Sequence, residues 1–114
     1  MPFINVHIGK PLTEEKKIEV MQMIADNMPL IPEKNIDNTM IEISADCDMF
    51  MGGKKQGLIF VDLRVLKPAP MENKDAFVTA LSEGFDKLLD IPANKQYYTI
   101  AEFNEWGYGG HFNG

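Results

Sequence analysis

Apolar positions along the chain follow two different periods, and their succession predicts a β-α-β unit in the first half. Residues 3–8 alternate, with Ile4, Val6 and Ile8 on one face. Period two with β-branched residues is typical of a half-buried strand. A second strand is predicted at residues 40–45. Between the two strands, apolar residues at helical spacing predict a helix through Ile18, Met21, Ile24, Ala25 and Met28.

Local signals mark the ends of this helix. Thr13 is a candidate N-cap, because its hydroxyl can accept a hydrogen bond from the first turn. Glu14 and Glu15 follow it, where acidic side chains suit the positive end of the helix dipole. Pro29 has no amide hydrogen, so we expect the helix to end there.

The second half of the chain repeats this plan. Residues 58–66 predict a third strand and residues 97–103 a fourth, with Asn73 as the candidate cap of a second helix. An Ile-Pro pair follows each helix, at residues 31–32 and at residues 91–92. The apolar face of the third strand is predicted to carry Ile59, Val61, Leu63 and Val65. The second helix is predicted to place on one side Phe77, Ala80, Leu81, Gly84 and Leu88.

Two such units predict an α+β fold in which one four-stranded mixed sheet carries two helices on one face. We expect a single domain over residues 1–114. The other face of the sheet is left bare, and an apolar patch of this kind usually marks an interface. We therefore expect a closed oligomer, whose symmetry does not follow from the pattern. On the third strand, the bare face is predicted to carry Leu58, Phe60, Asp62, Arg64 and Leu66.

The composition narrows the choice of partners. Seventeen acidic against 11 basic side chains give a net charge of −6, which argues against nucleic acid or an anionic membrane as partner. No stretch approaches the roughly 18 apolar residues of a bilayer span. One cysteine, Cys47, excludes an internal disulfide. Since no basic region precedes an apolar run at the start, we expect a cytoplasmic protein without a signal peptide.

Pro2 is the candidate for chemistry. A small second residue normally allows removal of Met1, and the chain would then begin with a secondary amine. An α-amine titrates near pH 8 in water, and burial in an apolar pocket lowers its pKa. A neutral amine at physiological pH suits general-base catalysis. Proline is common at position 2 in unrelated proteins, so this residue alone is weak support.

Three segments make the chain resemble the tautomerase superfamily, in its branch of macrophage migration inhibitory factor. They are Met1–Ile4, the ADCDMFMGG stretch that ends at Gly53, and the DIPANKQYYTIAEF stretch over residues 90–103. The resemblance covers essentially the whole chain. It implies a homotrimer with active sites between subunits. It also implies keto–enol tautomerisation of phenylpyruvate-like 2-keto acids, without a cofactor.

The resemblance also implies the site residues. Pro2 matches the catalytic base, and Lys34 matches a lysine that holds the substrate carboxylate or the enolate oxygen. Tyr97 matches a pocket tyrosine supplied by a neighbouring subunit, whereas Tyr98 points to the other face of its strand. The implied substrate-binding residues are Phe3, Leu66, Tyr97, Trp106 and Tyr108. Thr99 stands where some relatives carry asparagine, and the CxxC pair of the vertebrate cytokine is missing.

Other candidate chemistry is discounted. His7 and His111 have no spacing that suggests shared ligation, so we expect no metal site. Asp46 and Asp48 lack the remaining ligands of a calcium loop and are interpreted as a solvated turn. Cys47, without a nearby histidine in sequence, is interpreted as a buried structural thiol.

Two classes of function remain open. The leading hypothesis is an isomerase in which Pro2 removes the α-proton of a 2-keto acid. Hydrating, dehalogenating or decarboxylating relatives tend to use arginines, and the single Arg64 is expected to pair with Asp62 at an interface instead. The alternative is a cytokine-like or other protein-binding module with a vestigial pocket. Turnover of phenylpyruvate by the wild type and by a Pro2→Ala variant separates the two.

Overall fold

A computed structural model describes residues 2–34 and 36–114. The first β-α-β unit consists of β1 (Pro2–Ile8), α1 (Glu14–Asn27) and β2 (Met40–Ser44). A two-residue hairpin, β3 (Phe50–Met51) and β4 (Lys54–Lys55), follows it. The first two strands and the helix lie within one or two residues of their predicted bounds.

The second unit consists of β5 (Ile59–Leu66), α2 (Met71–Leu89) and β6 (Gln96–Phe103). The chain closes with a small hairpin of β7 (Trp106–Tyr108) and β8 (His111–Asn113). Neither hairpin is predicted by the sequence pattern, because strands of two or three residues are too short to show a period.

The four long strands form one mixed sheet in the order β2-β1-β5-β6. Strand β1 pairs in parallel with β2 and antiparallel with β5, and β5 pairs in parallel with β6. This confirms the expected α+β fold with a four-stranded mixed sheet. The two units therefore meet along the β1–β5 pair, and β1 lies inside the sheet.

Both helices pack on one face of the sheet, where they form the core. Ile4, Val6 and Ile8 of β1 have no exposed surface, and the inward side chains of α2 are at most 7% exposed. Ile31 and Ile91, from the two Ile-Pro pairs, are each only 1% exposed. The predicted apolar faces of β1 and β5 are thus confirmed as the core faces. On α2, the fully or nearly buried side chains are Phe77, Leu81, Phe85 and Leu89.

Two expectations about α2 are wrong. The helix begins at Met71 with Pro70 as its N-cap, so Asn73 lies in its first turn. Asn73 Nδ2 instead donates to the carbonyl oxygen of Leu30, 3.1 Å away, and ties α2 to the segment after α1. Phe85 belongs to the core in place of the predicted Gly84, which approaches Met23 of α1.

The boundaries of α1 agree with the local signals. Thr13 Oγ1 accepts a hydrogen bond of 3.1 Å from the Lys16 amide, which confirms the cap. The helix ends at Asn27, and Pro29 falls in a 3₁₀ helix, Met28–Leu30, that continues the chain for one turn. Proline is tolerated near the start of such a turn, because the first amides have no helical partner.

A close backbone contact joins the end of β1 to the start of β5. The Gly9 amide donates to the Leu58 carbonyl oxygen at 2.8 Å. A Cβ atom on Gly9 would lie 2.9 Å from the carbonyl oxygen of Gln56 and 3.0 Å from the Leu58 nitrogen. Both obstructing atoms belong to the backbone, which cannot rotate away.

We predict that Gly9→Ala lowers the free energy of unfolding by about 1–3 kcal/mol, the usual cost of overpacking. Gly57→Ala is the matched control, because its Cβ meets only the flexible Lys10 side chain. Urea denaturation at neutral pH should give a clearly lower midpoint for Gly9→Ala than for Gly57→Ala. Equal midpoints would show that the contact tolerates a methyl group.

Candidate active site

A cavity of about 480 Å³ lies at the end of the sheet where β1 begins. Pro2 is buried and forms part of its wall. The aromatic rings of Phe3, Trp106 and Tyr108 line it together with Met40. Polar groups come from the adjoining 3₁₀ helix, Ile36–Asn38, and the residue after it, namely Asp37, Asn38 and Thr39.

Strand pairing and a hairpin bring these residues together. Phe3 lies opposite Met40 in the β1–β2 pair, so the two side chains share the mouth of the cavity. The β7–β8 hairpin folds back through Gly109 and Gly110, whose φ angles of 62° and 84° suit glycine in a tight turn. Trp106 is fixed by an edge-to-face contact with Phe103, 6.1 Å between ring centroids.

Four of the residues predicted from the sequence meet at this cavity, namely Pro2, Phe3, Trp106 and Tyr108. Both aromatic residues of the Trp106-Gly107-Tyr108 segment line it. Lys34 is not among its lining residues. It is half-buried in the turn after α1, where its amide donates to the Ile31 carbonyl oxygen at 3.3 Å.

Leu66 and Tyr97 also lie outside this cavity. Leu66 stands opposite Phe103 in the β5–β6 pair, so one ring separates it from Trp106. Tyr97 is 62% exposed and lies opposite Phe60, which in turn lies opposite His7. Pro2 is five residues from His7 along β1, at about 3.3 Å per residue, and β6 lies two strands of about 4.8 Å away, so Tyr97 is roughly 19 Å from Pro2 of the same chain.

Tyr97 and Tyr98 point to opposite faces of β6, as expected from strand geometry. Tyr98 packs against the core, and burial raises the pKa of its phenol above the usual range. Its hydroxyl donates to Gln96 Oε1 at 2.5 Å. Tyr98 is therefore a structural residue, and Tyr97 is the one presented on the bare face.

The polar side of the cavity has no counterpart among the residues predicted from the sequence. Asp37, Asn38, Thr39 and Met40 line it but lie in a stretch without regular period. The one available signal was the proximity of this stretch to the start of β2, which pairs with β1. Among the described lining residues, Asp37 has the only charged side chain.

The discounted residues take structural positions. Cys47 is half-buried, contrary to the buried position expected, and its Sγ donates to the Ser44 carbonyl oxygen at 3.2 Å. Asp48 pairs with Lys55 at 2.8 Å in an exposed turn. His7 contacts Phe60 edge to face. Within residues 2–34 and 36–114, no three histidine, cysteine or acidic side chains are grouped so as to hold a metal ion.

A wider groove of about 600 Å³ runs between the outer faces of the two helices. Gln22 donates to Asp26, and Glu19 pairs with Lys16. Its described lining contains no aromatic ring, and its three carboxylates, on Glu19, Asp26 and Glu83, are all exposed to solvent. The groove therefore lacks the buried candidate base and the aromatic wall of the cavity at Pro2.

Solved structures with this fold are macrophage migration inhibitory factors and other tautomerase-superfamily proteins. Leishmania major MIF2 matches with a TM-score of 0.89 at 16% identity, over 98% of this chain and 97% of that chain. The macrophage migration inhibitory factor homologue from Prochlorococcus marinus matches with 0.86 at 16% identity, over 98% and 99%. The wild-type asymmetric trimer of F6 fused 4-OT matches with 0.83 at 19% identity, over 96% and 94%.

These likenesses confirm the fold expected from the resemblance and show nothing finer. Neither a family model nor a curated protein sequence matches the chain. In the described ranges, neither helix has the length and apolar character needed to cross a bilayer.

A carboxylate fixes the chain close to the Phe103–Trp106 contact. Glu102 accepts the Ala69 amide at 2.6 Å and the Lys74 ammonium at 3.1 Å. The Ala69 amide, followed by Lys74, holds the pKa of Glu102 below its ordinary value. This contact therefore stabilises the fold above the unfolded-state pKa of about 4.3 and is lost as pH falls through the folded-state pKa.

We predict that Glu102→Gln lowers the melting temperature at pH 7 and flattens its fall between pH 5 and pH 3. The glutamine amide does not titrate, so this side chain makes no pH-dependent contribution to the stability of the variant. Thermal unfolding followed by circular dichroism across this range measures both effects. The exposed Glu105 provides the control, because Glu105→Gln should leave the pH profile as in the wild type. Parallel profiles for all three proteins would contradict the role of Glu102.

Proposed function

We propose that this protein is a cofactor-independent keto–enol tautomerase whose base is the amine of Pro2, released when Met1 is removed. Met1 lies outside the described residues. The observation that carries the proposal is the position of Pro2, buried at the first residue of an interior strand and in the wall of an aromatic cavity. The substrate is a planar 2-keto acid of the phenylpyruvate kind.

The chemistry needs one base and one group for the developing oxyanion. The neutral Pro2 amine takes the α-proton of the keto form, and the electron pair moves to the carbonyl oxygen as the enolate forms. Lys34, which lies in the turn after α1 and does not line the cavity of the described chain, is proposed from the resemblance to stabilise that oxygen. The protonated amine then delivers the proton to the enolate oxygen, which gives the enol and regenerates the base; in the reverse direction the amine takes the hydroxyl proton and delivers it to carbon. No oxidant or cofactor is consumed.

The surroundings of Pro2 favour this base. Burial disfavours the charged form of an amine and so lowers its pKa. The rings of Phe3, Trp106 and Tyr108 line the cavity beside it. Asp37 acts in the opposite direction, because a nearby carboxylate favours the protonated amine. Asp37 is exposed, so solvent screens its carboxylate, whereas Pro2 is buried.

We also propose that three copies assemble through the bare face of the sheet, so that Tyr97 of one copy reaches the cavity of another. Tyr97 and Phe103 lie on this face and are 62% and 43% exposed. The F6 fused 4-OT structure with this fold is a trimer.

The pairing of Arg64 with Asp62 supports isomerisation over hydration or dehalogenation. The two side chains form a salt bridge of 3.2 Å on the bare face. Arg64 is the one arginine in the chain, and its guanidinium is paired with Asp62. It is therefore not free to bind a substrate carboxylate or to polarise a water molecule.

We predict that processed protein interconverts the enol and keto forms of phenylpyruvate, and that Pro2→Ala lowers kcat/KM by at least about 100-fold. A primary amine replaces the rigid secondary amine, and the wall of the cavity is lost. Spectrophotometry follows the enol, and intact-mass analysis establishes that each sample lacks Met1.

A sample that retains Met1 is the matched control, because its Pro2 nitrogen is an amide without basicity. It should be as inactive as Pro2→Ala. Equal rates for wild type and Pro2→Ala would overturn the catalytic role of Pro2 and leave a binding function for the cavity.

A further inference from the structure

A second pocket lies at the other end of the same sheet. Its volume is about 280 Å³, near the lower limit of about 300 Å³ for small-molecule sites, so it suits a small ligand. The β3–β4 hairpin covers it with Phe50 and Met51, and the sheet contributes Phe60 and Tyr97. Lys95 supplies the only charged side chain among the described lining residues.

Lys95 is held in place by neutral groups. Its Nζ donates to Gln56 Oε1 at 2.5 Å, and Gln56 Nε2 donates to the Met51 carbonyl oxygen at 2.7 Å. Lys95 also ends the 3₁₀ helix Ala93–Lys95, where its amide donates to the Pro92 carbonyl oxygen at 2.9 Å. The ammonium is therefore oriented by an amide oxygen, with two further N–H donors to offer.

The charge environment of Lys95 differs from that of four other lysines. Lys16, Lys17, Lys55 and Lys74 each form an ion pair with a carboxylate. No carboxylate lies within ion-pair distance of Lys95 in the described ranges. Unlike the exposed Lys54, Lys67 and Lys87, which also form no ion pair there, Lys95 is half-buried in a pocket beside aromatic and methionine side chains, and this setting suits an anion with an apolar body.

The described lining of the cavity at Pro2 lacks the positive charge that Lys95 gives to the second pocket. Its one charged side chain in the described lining is Asp37, which repels a carboxylate. Lys34 does not line it. A 2-keto acid therefore needs a cation from another element, and the pocket that contains Tyr97 contains one.

We propose that Lys95 binds the carboxylate of a small aromatic or alkyl acid, while Phe60 and Tyr97 contact its apolar body. A role for Lys95 in catalysis rests on the proposed function. In the proposed trimer, the copy that contributes Tyr97 to the Pro2 cavity of its neighbour also contributes Lys95. Lys95 is then a specificity-determining residue for 2-keto acids. The binding step itself requires neither an active Pro2 nor a trimer.

The test uses the full-length processed protein and a probe that it cannot turn over. 3-Phenylpropionate is titrated against protein with ¹³C-labelled methionine methyl groups, and the shifts of Met49 and Met51 report on the pocket. The neutral 3-phenylpropanamide has nearly the same shape. We expect the acid to bind at least about tenfold more tightly than the amide, as one charge-assisted hydrogen bond allows.

Lys95→Gln should abolish this preference, and Lys95→Arg should retain most of it. Lys54→Gln is the matched control, because it removes the same charge from an exposed site on the β3–β4 hairpin that covers the pocket, and it should behave as the wild type. Equal binding of acid and amide by the wild type, or an unchanged preference in Lys95→Gln, would overturn the proposal.

A second readout separates this inference from the proposed function. Lys95→Gln should raise the KM for phenylpyruvate about tenfold with a smaller change in kcat, since it removes ground-state binding. If the protein turns over no keto acid but still prefers the acid in the titration, the tautomerase proposal fails and the Lys95 site stands. If turnover is normal in both KM and kcat for Lys95→Gln, the catalytic extension fails.

Discussion

The interior position of β1 is the constraint on which the rest of the structure depends. Strand β1 pairs with β2 on one side and with β5 on the other, so both sets of its backbone groups are hydrogen-bonded. Its apolar side chains Ile4, Val6 and Ile8 are fully buried under the two helices. A strand held on three sides cannot shift by one residue without exposing this face. Pro2, at the start of β1, is therefore held at one end of the sheet.

A single layer of helices has a second consequence, because it leaves the opposite face of the sheet without a cover. That face carries Tyr97 and Phe103. The same strands that hold Pro2 at one end hold Tyr97 and Lys95 at the other. One chain thus presents two partial sites: an aromatic cavity with a candidate base, and an aromatic pocket with a cation. Assembly through the bare face is the arrangement that would join them.

Sequence periodicity predicted the four long strands, both helices and the core faces of β1 and β5, because burial on one face imposes a period of two or 3.6 residues. On the helices it was less accurate, since Ile18 is 61% exposed and the buried Val20 and Phe85 were not predicted. It failed where the cause is not periodic. Asn73 resembles a cap in sequence, but Pro70 already satisfies the geometry of the helix start, and Asn73 bonds the Leu30 carbonyl oxygen instead. Asp37 and Met40 line the cavity only because β2 lies beside β1, a tertiary fact without a local signature. The family resemblance, and not the periodicity, predicted Pro2, Phe3, Trp106 and Tyr108 as site residues. All four line the cavity at the start of β1.

The central claim is that the site is completed between copies, and subunit mixing tests it most directly. Pro2→Ala and Tyr97→Ala each remove one half of the composite site, so each protein alone should be inactive. Tyr97 is 62% exposed, so its replacement leaves the core intact. When the two are co-expressed in equal amounts, random trimers should contain intact sites at about a quarter of the positions, with activity to match. Activity no greater than that of the separate variants would contradict the account.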